Sequence, residues 1–358
     1  MSSLQAKFKV PPQGITTSED YIKLAQARVA ENVWTYLHGA AGKALTLETN
    51  RTAFNAIDLT PRPLAKLNNP NTQLTLFNQT YAHPLFLAPI AYQRLFHQDG
   101  ELATAMASNA QAGQMLVSSL ASQTLENIIE AAQQPLWFQL YWQGDRERTL
   151  RLVNRALSAG YAAVMFTVDA PVKQAAIDLP EDIRAVNQES PLQPSVLSPK
   201  QSMVFDGWMT QAPTWEDLTW LRDQLKVPLI VKGILHADDA LQVEAIGCEG
   251  LVVSNHGGRV MDGTPTSLAR LPVIKKVLSN KTKVFFDSGI RTGQDAYKAL
   301  ALGADMVMIG RPYVWGLATA GAIGVAQVIR IMRDELEMTM ALTGVSDLAL
   351  IEHNFLKG

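Results

Sequence analysis

His256 and Arg259 stand together just past the apolar run Leu251 to Val253, in the stretch GLVVSNHGGRVMDG that covers residues 250 to 263. An imidazole takes a proton near neutral pH, and a guanidinium holds a carboxylate by two parallel hydrogen bonds. Gly257 and Gly258 lie between them and let backbone come close to a ligand. The pair suits an acid that carries a removable proton beside its carboxylate. Read alone, it fits equally well a histidine capping a strand end and an arginine in a surface ion pair.

The elements around the pair narrow the choice. Short apolar, β-rich runs recur at 85–90, 114–120, 136–142, 162–170, 228–234, 250–255, 283–290 and 305–310. Between most of them lie segments of helical period: 100–112, 125–132, 149–159, 237–245, 271–278 and 292–302. Strands apolar along their whole length and alternating with helices call for a parallel sheet covered by helices, and eight such units close into an α/β (β/α)8 TIM barrel. A helix over 320–342 completes the outer ring. Residues 1–83 read as a loose arm and helical extension, with one helix from Ser18 to about Leu37, a second from Leu45 to Phe54, and a small sheet or loop over 57–83 across one end of the core. Residues 84–358 form the barrel, and the whole is expected to be one domain. The connection after strand four is too long for a plain turn. Residues 172–212 are expected to be a mobile active-site cover, the other reading being a disordered insertion.

In such barrels chemistry sits where strands end. Those ends carry Pro89, Ile90 and Ala91; Ser118; Gln139 and Tyr141; Thr167 and Asp169; Lys232; Ser254 with His256 and Arg259; Asp287, Gly289 and Arg291; and Gly310 with Arg311. The last two ends place glycine amides and two arginines where these barrels hold a phosphate, which implies a phosphorylated ligand. Lys232 closes an otherwise apolar strand, a costly place unless it faces a site or a partner. Asp169 near His256 would stabilise the protonated imidazole, and a helix cap is its plain alternative.

Composition sets outer limits. A net charge of −2 gives no basic field, so nucleic acid and anionic membranes are not expected as partners and small molecules are. The single cysteine, Cys248, cannot form an internal disulfide and reads as a core residue. Neither a secretory leader nor an apolar stretch of spanning length is apparent, so a cytoplasmic protein is expected. No metal site is expected.

With those residues in place, the chain resembles the FMN-dependent α-hydroxy acid oxidase and dehydrogenase family. The likeness runs from about Ala25 to the C-terminal helix, through NRTAF, APIAYQRLFHQDGE, LVSSL, WFQLYW, TVDAP, LIVKGI, VVSNHGGR, DSGIR, ALALGADMVMIGRP and MRDELEMTMALTG. APIAYQRLFH and WFQLYW look closest to the lactate and hydroxymandelate oxidase branch. The resemblance implies FMN as cofactor, an L-2-hydroxy acid as substrate, and O2 or another electron acceptor, with a homotetramer as the assembly common among relatives.

It also implies roles. His256 would be the base, Arg259 and Tyr36 would grip the carboxylate, Tyr141 would contact the substrate oxygen, and Asp169 would support the imidazolium. Lys232 would lie by the flavin ring, a partner for its charge once the flavin is reduced. Pro89, Ile90, Ala91, Ser118, Gln139, Thr167 and Ser254 would hold the ring; Asp287, Gly289, Arg291, Gly310 and Arg311 the ribityl chain and phosphate.

Three positions depart from the family pattern. Ala176 stands where the family has a second substrate arginine, with Lys173 and Arg184 as nearby substitutes. Leu120 replaces the large aromatic of glycolate oxidase, and Ser288 replaces a glycine in the phosphate turn. The expected reaction is oxidation of an L-2-hydroxy acid to the 2-oxo acid, with His256 taking the hydroxyl proton as hydride leaves, or the α-proton in a carbanion route. Peroxide-forming oxidase is favoured over a quinone- or protein-linked dehydrogenase. Two other readings are a flavin-binding protein with degenerate activity and a different FMN barrel enzyme acting on a phosphate ester.

Overall fold

The computed structural model of the chain describes residues 10–171, 177–189, 197–351 and 356–357. Eight parallel strands close into a barrel: β1 (Leu85–Leu87), β2 (Gln114–Ser118), β3 (Trp137–Leu140), β4 (Ala163–Thr167), β5 (Leu229–Ile234), β6 (Gly250–Val253), β7 (Lys283–Phe286) and β8 (Met306–Ile309). Each pairs with the next in sequence, and β8 closes on β1 through Val307 with Leu85, Met308 with Phe86 and Ile309 with Leu87. Side chains on both faces are buried, which explains the unbroken apolar runs. One face lines the barrel interior with Phe86, Leu116, Trp137, Met165, Ile230, Val252, Phe285 and Met308. The other packs against helices.

A helix follows every strand, and several start where a side chain can take up an unpaired amide. Thr124, Asp145, Thr214, Thr266 and Thr292 each accept from the backbone three residues on. The last helix, Arg311–Thr343, begins earlier than its periodicity suggests and is interrupted at Ala320 and Gly321. It is long and apolar enough to cross a membrane, a stretch the sequence was not expected to hold. Yet 67% of its most apolar window is buried against the barrel, as for a core helix.

The extension departs from expectation at one point. Instead of one helix to Leu37 there are two, α1 (Tyr21–Gln26) and α2 (Glu31–His38), separated at Ala27–Ala30. Nothing between them breaks a helix intrinsically, so packing imposes the bend. Tyr21 and Ala25 are fixed in the core, while α2 turns its C-terminal end to the barrel mouth. A third helix, α3 (Leu45–Asn55), matches its expected span. The segment 57–83 yields a hairpin, Leu74–Leu76 with Gln79–Tyr81. Leu76 and Tyr81 plug the amino-terminal end of the barrel, where the Trp137 indole N–H donates to the Tyr81 hydroxyl at 3.2 Å. Asp58–Leu59 pairs with Leu356–Lys357, which sequence reasoning did not anticipate.

Candidate active site

The carboxyl ends of the strands surround a cleft with about 930 Å³ of space, counting the part open to solvent. Of the residues singled out in the sequence, Tyr36, Pro89, Ile90, Ala91, Ser118, Tyr141, Thr167, Lys232, His256, Arg259, Asp287, Gly289, Arg291, Gly310 and Arg311 line it. Asp169, Gln139 and Ser254 stand one layer behind. Gln139 donates to Thr167 at 2.9 Å and accepts from Ser118 at 3.2 Å, fixing two lining hydroxyls. Leu37, Ala88, Ile290 and Met308 also border the cleft and were not assigned to it, and Gly257 and Ser288, noted in the sequence without a named role, border it too. Their positions one or two residues from assigned ones were the available signal.

His256 leaves β6 in a left-handed conformation, φ +58°, uncommon for a residue with a side chain and frequent at functional sites. Its Nδ1 is 2.8 Å from Oδ1 of Asp169, and its Nε2 is 3.4 Å from the Tyr141 hydroxyl. Asp169 can approach because β5 bulges at Gly233, φ +112°, where a Cβ would come within 2.5 Å of the Asp169 side chain. An N–H at Nδ1 donating to the carboxylate leaves the Nε2 lone pair for a proton. Burial first, and then the charge of Asp169, pushes the Tyr141 phenol well above its ordinary pKa, so it stays an O–H donor.

Lys232 is buried between Asp287, 3.1 Å from its Nζ, and Ser254, whose hydroxyl accepts from it at 2.8 Å. Burial opposes its charge, but Asp287 and then Asp169 outweigh that and raise its pKa. A buried ammonium therefore faces the cleft. The same Ser254 hydroxyl accepts from the His256 amide at 3.1 Å, which ties the base to the lysine.

The arginines converge on the C-terminal end of α2. Arg259 Nη1 donates to the carbonyls of Tyr36 at 2.9 Å, Gly39 at 3.1 Å and Leu37 at 3.2 Å, and its guanidinium lies 5.1 Å from the Tyr36 ring centre. Arg311 donates from Nε to Leu37 at 3.0 Å and from Nη2 to Gly39 at 3.2 Å. These carbonyls are the unpaired acceptors at a helix end, where cations are favoured. With Nη1 of Arg259 anchored, its other N–H groups have no acceptor among the described residues and can take a carboxylate. The role of the α2 terminus was not read from sequence, although Gly39 marks it as a helix stop.

Whether this site fits FMN can be tested on its charges. Arg291 and Arg311 are only 8% and 9% exposed, and neither makes an ion pair among the described residues. Arg291 donates to the Ile290 carbonyl at 2.8 Å and stacks on Trp315 at 5.3 Å. Burial and the nearby Arg51 pull Arg291 down to about 10, and burial with Arg291 and Arg259 pulls Arg311 down to about 9. Two buried cations that repel each other demand an anion. A phosphate answers that demand. Gly289, φ +93°, keeps its backbone against α3, where a Cβ would meet the Asn50 carbonyl at 2.5 Å.

The long connection is described in two parts: residues 197–212 are largely exposed, whereas the part before them packs on the barrel. Asp182 pairs with Arg94 at 2.8 Å, Asn187 donates to Gln123 at 2.8 Å and accepts from Leu125 at 3.1 Å, and Ile183 is buried with Tyr92, Leu120, Tyr141 and Ala170. The part from Ile177 to Glu189 is therefore docked on the barrel rim. Arg184 is exposed and is not among the residues that line the cleft. Lys173 and Ala176 lie outside the described residues.

Barrel, base, lysine and the two buried arginines together define an enzyme site for a phosphate-bearing ligand, and comparison with known proteins gives the class. Residues 25–358 match the FMN-dependent dehydrogenase family. The chain is 41% identical to an L-lactate oxidase of Alicycliphilus denitrificans, covering 97% of this chain and 98% of that protein. It is 37% identical to a 4-hydroxymandelate oxidase of Amycolatopsis orientalis, over 91% and 93% of the two chains, and 36% identical to human 2-hydroxyacid oxidase 1, over 94% and 95%. A mandelate oxidase solved with benzoyl-formic acid superposes with a TM-score of 0.86 at 36% identity, covering 96% and 98%. The chain belongs to the FMN-dependent dehydrogenase family, and its cofactor is FMN.

Proposed function

We propose that this protein oxidises an L-2-hydroxy acid with an apolar side chain to the 2-oxo acid, with O2 as electron acceptor. The observation that carries this is the placing of the His256 base and the Arg259 fork on one cleft with the Lys232 ammonium. Bound FMN supplies a two-electron acceptor whose reoxidation by O2 gives hydrogen peroxide. FMN phosphate would sit with Arg291 and Arg311, and its ring with the backbone of Pro89 to Ala91 and with Lys232.

Arg259 fixes the carboxylate, supported by Tyr36, and Tyr141 donates to the substrate oxygen. His256 Nε2 takes a proton from the hydroxyl or the α-carbon, and Asp169 stabilises the imidazolium that results. Product is neutral at the carbonyl and keeps its carboxylate, so the same fork must release it. Substrate side chains would meet Leu120, Tyr92 and Ile183, an apolar wall. The names of the relatives favour an oxidase over a quinone-linked dehydrogenase. The extension belongs to the same unit in this reading, since the C-terminal end of α2 anchors both arginines.

Steady-state turnover of short, branched and aromatic L-2-hydroxy acids with peroxide detection tests the proposal. Stoichiometric peroxide from at least one of them is expected; turnover only with an artificial or quinone acceptor would overturn the oxidase assignment.

A further inference from the structure

Ser288 is the point where this site departs from ordinary backbone economy. It adopts φ +89°, a region that suits glycine and strains other residues, in the turn between Asp287 and Gly289. Its hydroxyl uses both of its capacities. It donates to Oδ1 of Asp287 at 2.9 Å and accepts from the amide of Gly257 at 3.1 Å. Asp287 in turn holds Lys232 through its other oxygen, Lys232 donates to Ser254, and Ser254 accepts from the amide of His256.

These contacts close a ring. It starts at the His256 amide, runs through Ser254, Lys232, Asp287 and Ser288, and returns at the amide of the next residue, Gly257. Both amides belong to a loop whose residues 256, 257 and 258 all have positive φ, at 58°, 63° and 74°. Such a loop keeps its shape only if its surroundings hold it. Ser254 holds one amide and Ser288 the other. A glycine at 288 would relieve the backbone but leave the Gly257 amide and Oδ1 of Asp287 without this partner.

We propose that Ser288 is a positioning residue: its one hydroxyl locks the loop that carries the His256 base to the Asp287–Lys232 pair on the cofactor side. This rests on the function proposed above for the role of His256, and on the cofactor alone for the role of Lys232. The hydroxyl acts in two directions. Toward His256 it fixes main-chain geometry through Gly257. Toward Lys232 it draws on the carboxylate of Asp287, which then neutralises the ammonium less completely and leaves more positive charge at the cofactor. Losing the hydroxyl should lower the reduction potential of bound FMN, because the reduced, more negative form loses that support.

Two variants separate these effects from simple misfolding. Ser288→Ala keeps the strain and loses the hydroxyl, whereas Ser288→Gly loses the hydroxyl and suits the backbone, so it folds even if the alanine variant does not. Three readouts are taken on FMN-loaded protein: amide exchange of the peptide containing Gly257, the midpoint potential by chemical titration, and the limiting rate of anaerobic reduction against the dissociation constant of the acid. In Ser288→Gly, exchange at Gly257 should rise about tenfold. The potential should fall by about 30 mV, a tenfold change in a two-electron equilibrium. The limiting rate should fall about tenfold with substrate affinity within about twofold of wild type, because Arg259 is untouched.

Unchanged Gly257 protection or an unchanged potential in Ser288→Gly overturns the assignment. Exchange and potential need no substrate. If the wild-type flavin is not reduced by any 2-hydroxy acid, the proposed function fails while the part played by Ser288 is still decided.

Discussion

Nδ1 of His256 lies 2.8 Å from Oδ1 of Asp169, on the opposite side of the imidazole from the Nε2 that meets Tyr141. The contact spans β4 and β6, with β5 between them, and the bulge at Gly233 gives it room. It fixes ring orientation and tautomer together.

His256→Gln should therefore lower the rate of flavin reduction by about 10² to 10⁴, the usual contribution of a positioned base. Asp169→Asn keeps the shape and loses the charge that supports the imidazolium. Its reduction rate should fall by about one to two powers of ten, the equivalent of a charged hydrogen bond. Stopped-flow absorbance under anaerobic conditions measures both. Wild-type rates in His256→Gln would remove the base.

Arg259→Lys keeps a positive charge and loses the planar fork that contacts the carbonyls of Tyr36, Leu37 and Gly39. Substrate affinity should weaken about ten- to a hundredfold. FMN affinity should stay near wild type, because Arg291 and Arg311 remain. Titration of a non-reacting carboxylate analogue against the flavin spectrum reads the first quantity, and reconstitution of apoprotein reads the second.

Arg311→Met removes one of the two buried cations whose pKa values burial and neighbouring arginines hold down at about 9 and about 10. FMN should dissociate about ten- to a hundredfold more readily. Without cofactor, the same change should cost little or even stabilise the fold, since it relieves repulsion and desolvation. Fluorescence of released FMN and thermal melts of apoprotein distinguish the two effects. Equal losses of stability with and without cofactor would contradict this account of the arginines.

Much of this site was legible because barrel chemistry is confined to strand ends, so eight apolar runs point to a short list of polar residues. The placement of His256, Lys232 and Arg311 followed from that rule. What the sequence hid is tertiary. The break between α1 and α2 has no local signal, since Ala27 to Ala30 would extend a helix readily. The convergence of Arg259 and Arg311 on α2 joins residues more than two hundred positions apart. The docking of Ile183 likewise depends on Tyr92 and Leu120, and a polar, proline-containing loop gives little hint of it.

Acid should destabilise the fold in a defined window. Burial, and then the charge of Arg333, lowers the pKa of His83 to about 4; burial and nearby arginines lower His38 to about 4 as well. The unfolded chain protonates each near pH 6.5, before the folded chain does, so it binds more protons between those values. Stability is full above that window and falls as pH drops through it. For the fully buried His83 the loss is about 3 kcal/mol. His83→Gln should be less stable at neutral pH and lose correspondingly less on acidification. Denaturant titrations at a series of pH values check the slope, and equal slopes in both proteins would refute the assignment.

The most direct test of the whole account is the visible spectrum of the FMN-loaded protein, recorded without oxygen before and after L-lactate and a panel of longer and aromatic L-2-hydroxy acids. The flavin band should bleach with at least one acid in wild type, return on admitting air with formation of peroxide, and persist in His256→Gln over the same interval. A wild-type band that survives every acid, or a His256→Gln band that bleaches as fast as wild type, would contradict it.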